Sequence, residues 1–107
     1  MFRLIHYTTV ADEDVFAAWL TALRDRQAAA RIAARLLRLG LGLFGDCKPL
    51  GGGVWELRVD WGPGYRVYYA LDGAKVVLLL TGGDKRKQAA DIARAREFWQ
   101  DWQARKR

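Results

Sequence analysis

Apolar residues near the start of the chain recur at the spacing of one helical face. Four of them fall at i, i+3, i+4 and i+7: Phe16, Trp19, Leu20 and Leu23. This spacing predicts a helix from near Asp12 to near Arg24, with the acidic residues at its start favoured by the helix dipole. A weak alternation over residues 1–7 predicts a short strand before this helix.

A second stretch of helical spacing follows directly. Asp25 is suited to cap it, and its apolar positions are Ile32, Leu36 and Leu39. Gly40 and Gly42 favour the end of this helix, so the two helices are expected to form a hairpin. A second face of the same helix carries a basic stripe, typical of a solvated surface or of a phosphate-binding one: Arg31, Arg35 and Arg38. The Gly-rich residues 41–53 are expected to form a loop.

The spacing changes from helical to alternating at Val54. Alternation predicts three strands, over residues 54–60, 65–71 and 75–81. The short connections between them contain Gly, Pro and Asp, which favours an antiparallel three-stranded meander. Helical spacing returns near Gln88 and predicts a closing helix whose last residues, 104–107, fray. The expected fold class is therefore α+β, with residues 1–107 as one domain.

The first hairpin of this meander determines which side chains share a face. We pair the first two strands of the meander about Gly62, so that the numbers of two paired residues sum to 124. One face of the hairpin is then wholly apolar. On the other face Glu56 then lies opposite Tyr68, and Arg58 opposite Arg66. Like charges directly opposite each other destabilise a sheet, so the two arginines suggest that an anion binds between them.

The second hairpin is expected to bring more cations to the same place. A two-residue turn closing at residues 71 and 74 places Leu79 opposite Arg66. We expect the chain to bend at Gly82 and Gly83, after which the basic run 85–87 emerges near the two arginines. Four or five cations from separate segments would then converge at one end of the sheet.

Composition and charge narrow the classes of function. The 107 residues carry 18 Lys and Arg against 12 Asp and Glu, a net charge of +6, which favours a phosphate-rich or acidic partner. A single Cys and a single His argue against disulfides, a His-based metal site and a Ser-His-Asp triad, so we expect neither a metal nor a cofactor. Because no apolar run approaches the roughly 20 residues that span a bilayer, we expect a cytoplasmic protein without a membrane partner.

Several motifs along the chain, in this order, resemble a known family. They are Phe44-Gly45-Asp46-x-Lys48-x-Leu50-Gly51-x-Gly53-Val54-x-Glu56-Leu57-Arg58, Gly62-Pro63-Gly64-Tyr65-Arg66-Val67-Tyr68-Tyr69 and Leu79-Leu80-x-Gly82-Gly83-Asp84-Lys85-x-x-Gln88-x-x-Asp91-Ile92-x-x-Ala95. With the first helix included, nearly the whole chain is similar to the addiction module killer proteins, a group of RelE/ParE toxins close to the HigB-like and phage Gp49-like branch. The resemblance implies a RelE-like fold and the toxin of a type II toxin–antitoxin system.

RelE-like toxins cut messenger RNA, usually in the ribosomal A site. The resemblance therefore implies a metal-independent endoribonuclease, or mRNA interferase, that inhibits translation and growth. It also implies two partners, a helix-turn-helix antitoxin of the HigA-like kind and mRNA on the ribosome. One alternative is a ParE-like inhibitor of DNA gyrase, which shares the fold and has no nuclease activity. Another is a binding module or a toxin that has lost its activity.

The resemblance implies active-site cations at Arg58, Arg66 and the Lys85-Arg86 pair. The candidate catalytic residues among them are Arg58, Arg66 and Lys85. We expect Arg66 to bind a phosphate through its planar guanidinium, assisted by Arg58. We expect Lys85 to serve as a base or proton donor, because neighbouring cations lower its proton affinity. The Tyr found in the final segment of the best-known RelE-type toxins has no counterpart here, so Asp91 and Glu56 are the other base candidates. The candidate RNA-binding residues are Arg86, Lys87, Tyr68, Lys48 and Trp61.

Overall fold

The computed structural model describes residues 1–106 as three helices and one five-stranded mixed sheet. In chain order the elements are β1 (Arg3–His6), α1 (Val15–Ala22), α2 (Arg26–Gly40), β2 (Cys47–Gly51), β3 (Val54–Val59), β4 (Tyr65–Asp72), β5 (Val76–Asp84), a 3-10 turn (Lys85–Lys87) and α3 (Gln88–Arg105). The strand order is β1-β5-β4-β3-β2, with β1 parallel to β5 and the other pairs antiparallel. This confirms the α+β class and is compatible with a RelE-like fold. None of the three helices is long and apolar enough to cross a membrane.

Both helices of the hairpin begin at an aspartate that caps them. The Asp14 carboxylate accepts a hydrogen bond from the backbone N–H of Ala17 at 3.0 Å, so α1 starts later than predicted. Asp12 lies outside the helix, with a φ of 62°. Asp25 caps α2 as predicted, because its carboxylate accepts from the N–H of Gln27 at 3.0 Å.

The sheet has helices packed on both faces. The face toward α1 and α2 contributes buried side chains from three strands: Leu57, Val59, Tyr65, Val67, Tyr69, Val77 and Leu79. The face toward α3 contributes another buried set: Val54, Tyr68, Ala70, Leu78 and Leu80. Because β5 is covered on both faces, its apolar residues form a continuous run rather than an alternating pattern.

The predicted register of the first hairpin is confirmed. Glu56 pairs with Tyr68, and Arg58 pairs with Arg66. Their neighbours along each strand pack toward α1 and α2, so burial of that face specifies the register. The two arginines therefore lie side by side on the face opposite the helical hairpin.

The predicted register of the second hairpin is wrong. Leu79 lies opposite Tyr69 rather than Arg66. Residues 73–75 form the turn, because Asp72 remains in β4 and is paired with the first residue of β5. Farther along, one extra residue in β5 shifts the register again. Gly83 rather than a leucine lies beside Arg66.

The predicted loop over residues 41–53 contains a strand. Cys47–Gly51 forms β2, an edge strand that pairs with β3. The chain reverses at three consecutive glycines whose φ values are 87°, 67° and 88°, a region that L side chains rarely adopt. With five residues, one of them Pro49, β2 has no alternating pattern that would predict it.

Gly82 and Gly83 lie inside β5 and do not form the predicted bend. A Cβ atom added at Gly82 would overlap the ring of Trp19 on α1. One added at Gly83 would overlap the carboxylate of Asp91 on α3. The two glycines therefore let helices approach the strand closely from both faces.

Replacing Gly82 with alanine is expected to lower the free energy of unfolding by about 1–3 kcal/mol, the usual cost of overpacking a core. The new methyl group meets a rigid indole ring, which can move aside only by disturbing the packing of α1. Urea unfolding checks this value. In a Trp19→Ala background the added cost of Gly82→Ala should shrink, and an equal cost in both backgrounds would contradict the explanation.

The structure places residues 104–106, for which fraying is predicted, in the last turn of α3 and its C-cap. α3 continues to Arg105, whose guanidinium contacts the carbonyl of Thr8 at 2.5 Å and the Asp101 carboxylate at 2.7 Å. The Lys106 ammonium pairs with Asp72 at 2.7 Å. These contacts tie the end of α3 to the sheet and to the segment after β1. Residue 107 lies outside the described residues.

Candidate active site

A polar cleft at one end of the sheet brings together the three predicted catalytic cations. Arg58, Arg66 and Lys85 line a cleft of about 350 Å³. The arginines come from neighbouring strands, and Lys85 is the first residue after β5. The rest of the wall consists of Asp46, Asp60, Gly62, Pro63 and Gly64. The structure thus places the three cations in one site, while their catalytic role stays a prediction.

The tip of the first hairpin places Lys85 beside Arg66. The backbone N–H of Lys85 donates to the carbonyl of Gly64 at 2.8 Å. A Cβ atom added to Gly64 would lie 3.5 Å from Nη1 of Arg66 and 3.6 Å from Cβ of Lys85. Gly64 therefore lies between the two cations, and its φ of 85° is one that glycine adopts without strain.

Arg58 is paired with Asp46, a residue that the sequence did not identify. Its Nε and Nη2 donate to the same carboxylate oxygen, Oδ1 of Asp46, at 3.1 and 2.7 Å. The neighbouring carboxylate raises the pKa of Arg58 further above its usual value. Asp46 directly precedes β2, and its carbonyl accepts from the backbone N–H of Arg58 at 2.9 Å. Recognition of β2 in the sequence would have placed the two residues side by side.

Glu56, one of the two acidic candidates for the base, is buried under α3. The residue is 0% exposed, and its Oε2 accepts a hydrogen bond from the Gln88 amide at 2.7 Å. Its Oε1 lies 3.7 Å from Nε of Arg66, whose side chain is 13% exposed. Glu56 does not line the cleft, which disfavours it as the base, and its role in catalysis stays a prediction. Its position instead suits a counter-ion beneath Arg66.

Asp91, the other acidic candidate, is also turned away from the cleft. It is 9% exposed on α3, and its Oδ2 has no hydrogen-bond partner among residues 1–106. Burial raises the pKa of this carboxyl above its usual value. Asp91 lines a separate pocket of about 170 Å³ that also contains Lys87. Asp91 and Lys87 thus line a pocket separate from the cleft, and the role of Asp91 as a base stays a prediction.

The remaining cations predicted to bind RNA lie outside the cleft. Arg86 is 82% exposed and pairs with Asp84 at 2.9 Å. Lys87 borders the Asp91 pocket, and Lys48 is exposed on the edge strand β2. Of the basic run after β5, only Lys85 thus joins the two arginines, so three cations converge rather than four or five.

The two aromatic residues predicted to bind RNA have other contacts. Tyr68 is 0% exposed under α3, and burial together with the nearby Glu56 raises the pKa of its hydroxyl. The half-buried Trp61 donates to Asp25 at 3.0 Å, and the guanidinium of Arg31 covers its ring at 3.8 Å. Tyr68 is therefore not available to stack on a base, and Trp61 is packed against α2 rather than free at the hairpin tip.

The basic stripe on α2 is partly structural. Arg31 packs on Trp61, as described above. Arg35 donates to the carbonyl of Arg58 at 2.6 Å and to that of Phe44 at 3.1 Å. Arg35 therefore ties the segment before β2 to β3, and it is the half-buried member of the stripe, whereas Arg31 and Arg38 are exposed.

Comparison with known sequences adds two findings. A family model described as phage-derived protein Gp49-like matches residues 18–99. An uncharacterized protein of Haemophilus influenzae is 45% identical over 86 residues, which cover 80% of this chain and 87% of the relative. The range matched by the family model contains every residue that lines the cleft.

Proposed function

Because the chain belongs to the phage-derived Gp49-like protein family, a toxin-like group of toxin–antitoxin systems, we propose that it is a toxin that cuts messenger RNA without a metal ion. The observation that carries this proposal is the open cleft lined by Arg58, Arg66 and Lys85. Attack of a 2′-oxygen on the neighbouring phosphorus adds negative charge to the phosphate. Cations fixed around that phosphate stabilise the transition state more than the ground state.

Each cation suits a different part of this reaction. Nη1 of Arg66 donates to the carbonyl of Tyr65 at 3.1 Å, which orients the guanidinium at the cleft wall. Its fork can bond two phosphate oxygens. Arg58 keeps Nη1 for the same phosphate, since its other two nitrogens bind Asp46. The exposed ammonium of Lys85 is the proton donor for the leaving 5′-oxygen.

The family implies an antitoxin partner in general, and we propose a helix-turn-helix antitoxin of the HigA-like kind. We propose mRNA on the ribosome as the substrate. The net charge of +6 attracts the RNA backbone. The cations Arg86, Lys87 and Lys48 are exposed outside the cleft, so they are the candidates for contacts along the RNA strand.

Brief induction of the protein in cells, followed by mapping of new RNA 5′ ends, tests this proposal. We expect cuts within coding frames, because ribosomes present the message codon by codon. The cuts should vanish in an Arg66→Ala control, since the phosphate loses its main ligand. Growth arrest with intact RNA in the wild type would contradict the nuclease. Gyrase-linked DNA breaks in the same cells would instead favour the ParE-like function.

A further inference from the structure

The cleft contains two carboxylates, and neither is one of the predicted base candidates. Glu56 is buried under α3 and Asp91 is buried on α3 itself, and neither lines the cleft. The acidic side chains that line the cleft are Asp46 and Asp60. A general base must lie within hydrogen-bond reach of the proton that it removes. Asp46 and Asp60 are therefore the carboxylates that the cleft offers to a 2′-hydroxyl beside a phosphate on Arg66.

Asp46 is held in a fixed position, and one of its oxygens is left available. Its backbone is tied to β3 through Arg58, and Arg35 reaches its carbonyl at 3.4 Å. Both hydrogen bonds from the Arg58 side chain go to Oδ1. Oδ2 makes no hydrogen bond to residues 1–106, and the side chain is 52% exposed. Asp60 is exposed and makes no ion pair with the described residues.

We infer that Asp46 is the general base of the RNA cleavage, an inference that rests on the proposed nuclease function. Oδ2 of Asp46 takes the proton of the 2′-hydroxyl, and the 2′-oxygen forms a bond to phosphorus. The bond between phosphorus and the 5′-oxygen breaks, and the Lys85 ammonium gives a proton to that oxygen. The products are a 2′,3′-cyclic phosphate and a 5′-hydroxyl. Exchange with water then returns Asp46 and Lys85 to their starting charges.

The ion pair between Arg58 and Asp46 gives Arg58 a second role. A carboxylate that must receive a proton at one oxygen is best held by its other oxygen, and Arg58 binds Asp46 in this way. Nη1 of Arg58 remains for the phosphate. One guanidinium thus sets the distance between the base and the reacting phosphate, which favours the aligned geometry that the attack requires.

The test compares Asp46→Asn with Asp60→Asn, the other carboxylate of the cleft, and with a matched control outside the cleft, Glu97→Gln. The measurement is single-turnover cleavage of mRNA on programmed ribosomes. Asparagine keeps an oxygen for Arg58 and cannot accept the proton. We expect Asp46→Asn to slow cleavage about a hundredfold, the lower range for a lost general base, with RNA affinity changed less than about threefold. Glu97→Gln should cut at the wild-type rate within about threefold, because this exposed carboxylate on α3 does not line the cleft. A larger loss of rate in Asp60→Asn than in Asp46→Asn would assign the base to Asp60 and overturn the inference.

A substrate with sulfur in place of the 5′-bridging oxygen distinguishes loss of the general base from loss of the general acid. Its thiolate leaving group departs without taking up a proton, so cleavage of this substrate does not need the acid. Lys85→Ala should regain most of its rate on this substrate, and Asp46→Asn and Asp46→Ala should not. An unchanged or faster rate in both Asp46 variants would overturn the inference, because Asp46 would then only compete with phosphate for Arg58. A wild-type protein that cuts no RNA would instead overturn the proposed function itself.

Discussion

Replacing Arg66 with lysine is expected to slow RNA cleavage about a hundredfold, the range seen when one fixed donor to a developing negative charge is lost. Lysine keeps the positive charge but lacks the planar fork that can bond two phosphate oxygens. It also loses the contact of Nη1 with the carbonyl of Tyr65 that orients the guanidinium. Single-turnover rates with programmed ribosomes measure the effect, with thermal unfolding to show that the variant is folded.

Arg24→Lys is the matched control for this prediction. Arg24 is exposed, follows α1 and does not line the cleft. Its replacement should leave the rate within about twofold of the wild type, since exposed charges far from the phosphate are screened by salt. A full rate in Arg66→Lys would contradict the bidentate clamp and would mean that charge alone at this position is sufficient.

The positions of the two cleft arginines, Arg58 and Arg66, could be predicted from the sequence because burial of the apolar face determines the register of the first hairpin. A shift of one residue would move the apolar side chains of β3 and β4 to the wrong face, so one register is far more stable than its neighbours. β5 lacks such a constraint, because it is apolar on both faces and tolerates several registers. The turn at residues 73–75 and one extra residue in the strand set its pairing, and neither has a periodic signature.

The acidic part of the site could not be predicted because it depends on elements without a clear pattern. The alternating pattern correctly predicts that Glu56 and Arg66 lie on the same face of the sheet. It does not predict that α3 covers the side chain of Glu56. Asp46 reaches Arg58 through β2, a strand of five residues. The sequence therefore predicted the cations that line the cleft and did not identify the carboxylates that line it, Asp46 and Asp60.

Replacing Glu56 with leucine is expected to lower the free energy of unfolding by about 3–5 kcal/mol, the cost of removing one partner of a buried ion pair. Glu56 is fully buried, and Arg66 is nearly so, with Nε and Oε1 3.7 Å apart. Without the carboxylate the guanidinium loses its buried counter-ion, and the Gln88 amide loses its acceptor. Urea unfolding at neutral pH measures the loss.

The double variant Glu56→Leu, Arg66→Leu is the control that separates a lost charge from lost packing. With both charges gone, the penalty of an unpaired buried ion disappears, and well-packed apolar side chains can replace such a pair at little cost. We therefore expect the double variant to recover most of the stability that the single variant loses. A double variant as unstable as Glu56→Leu would contradict the pairing. Recovery would mean that the pair adds little net stability, and that Glu56 contributes mainly by orienting Arg66 toward the cleft.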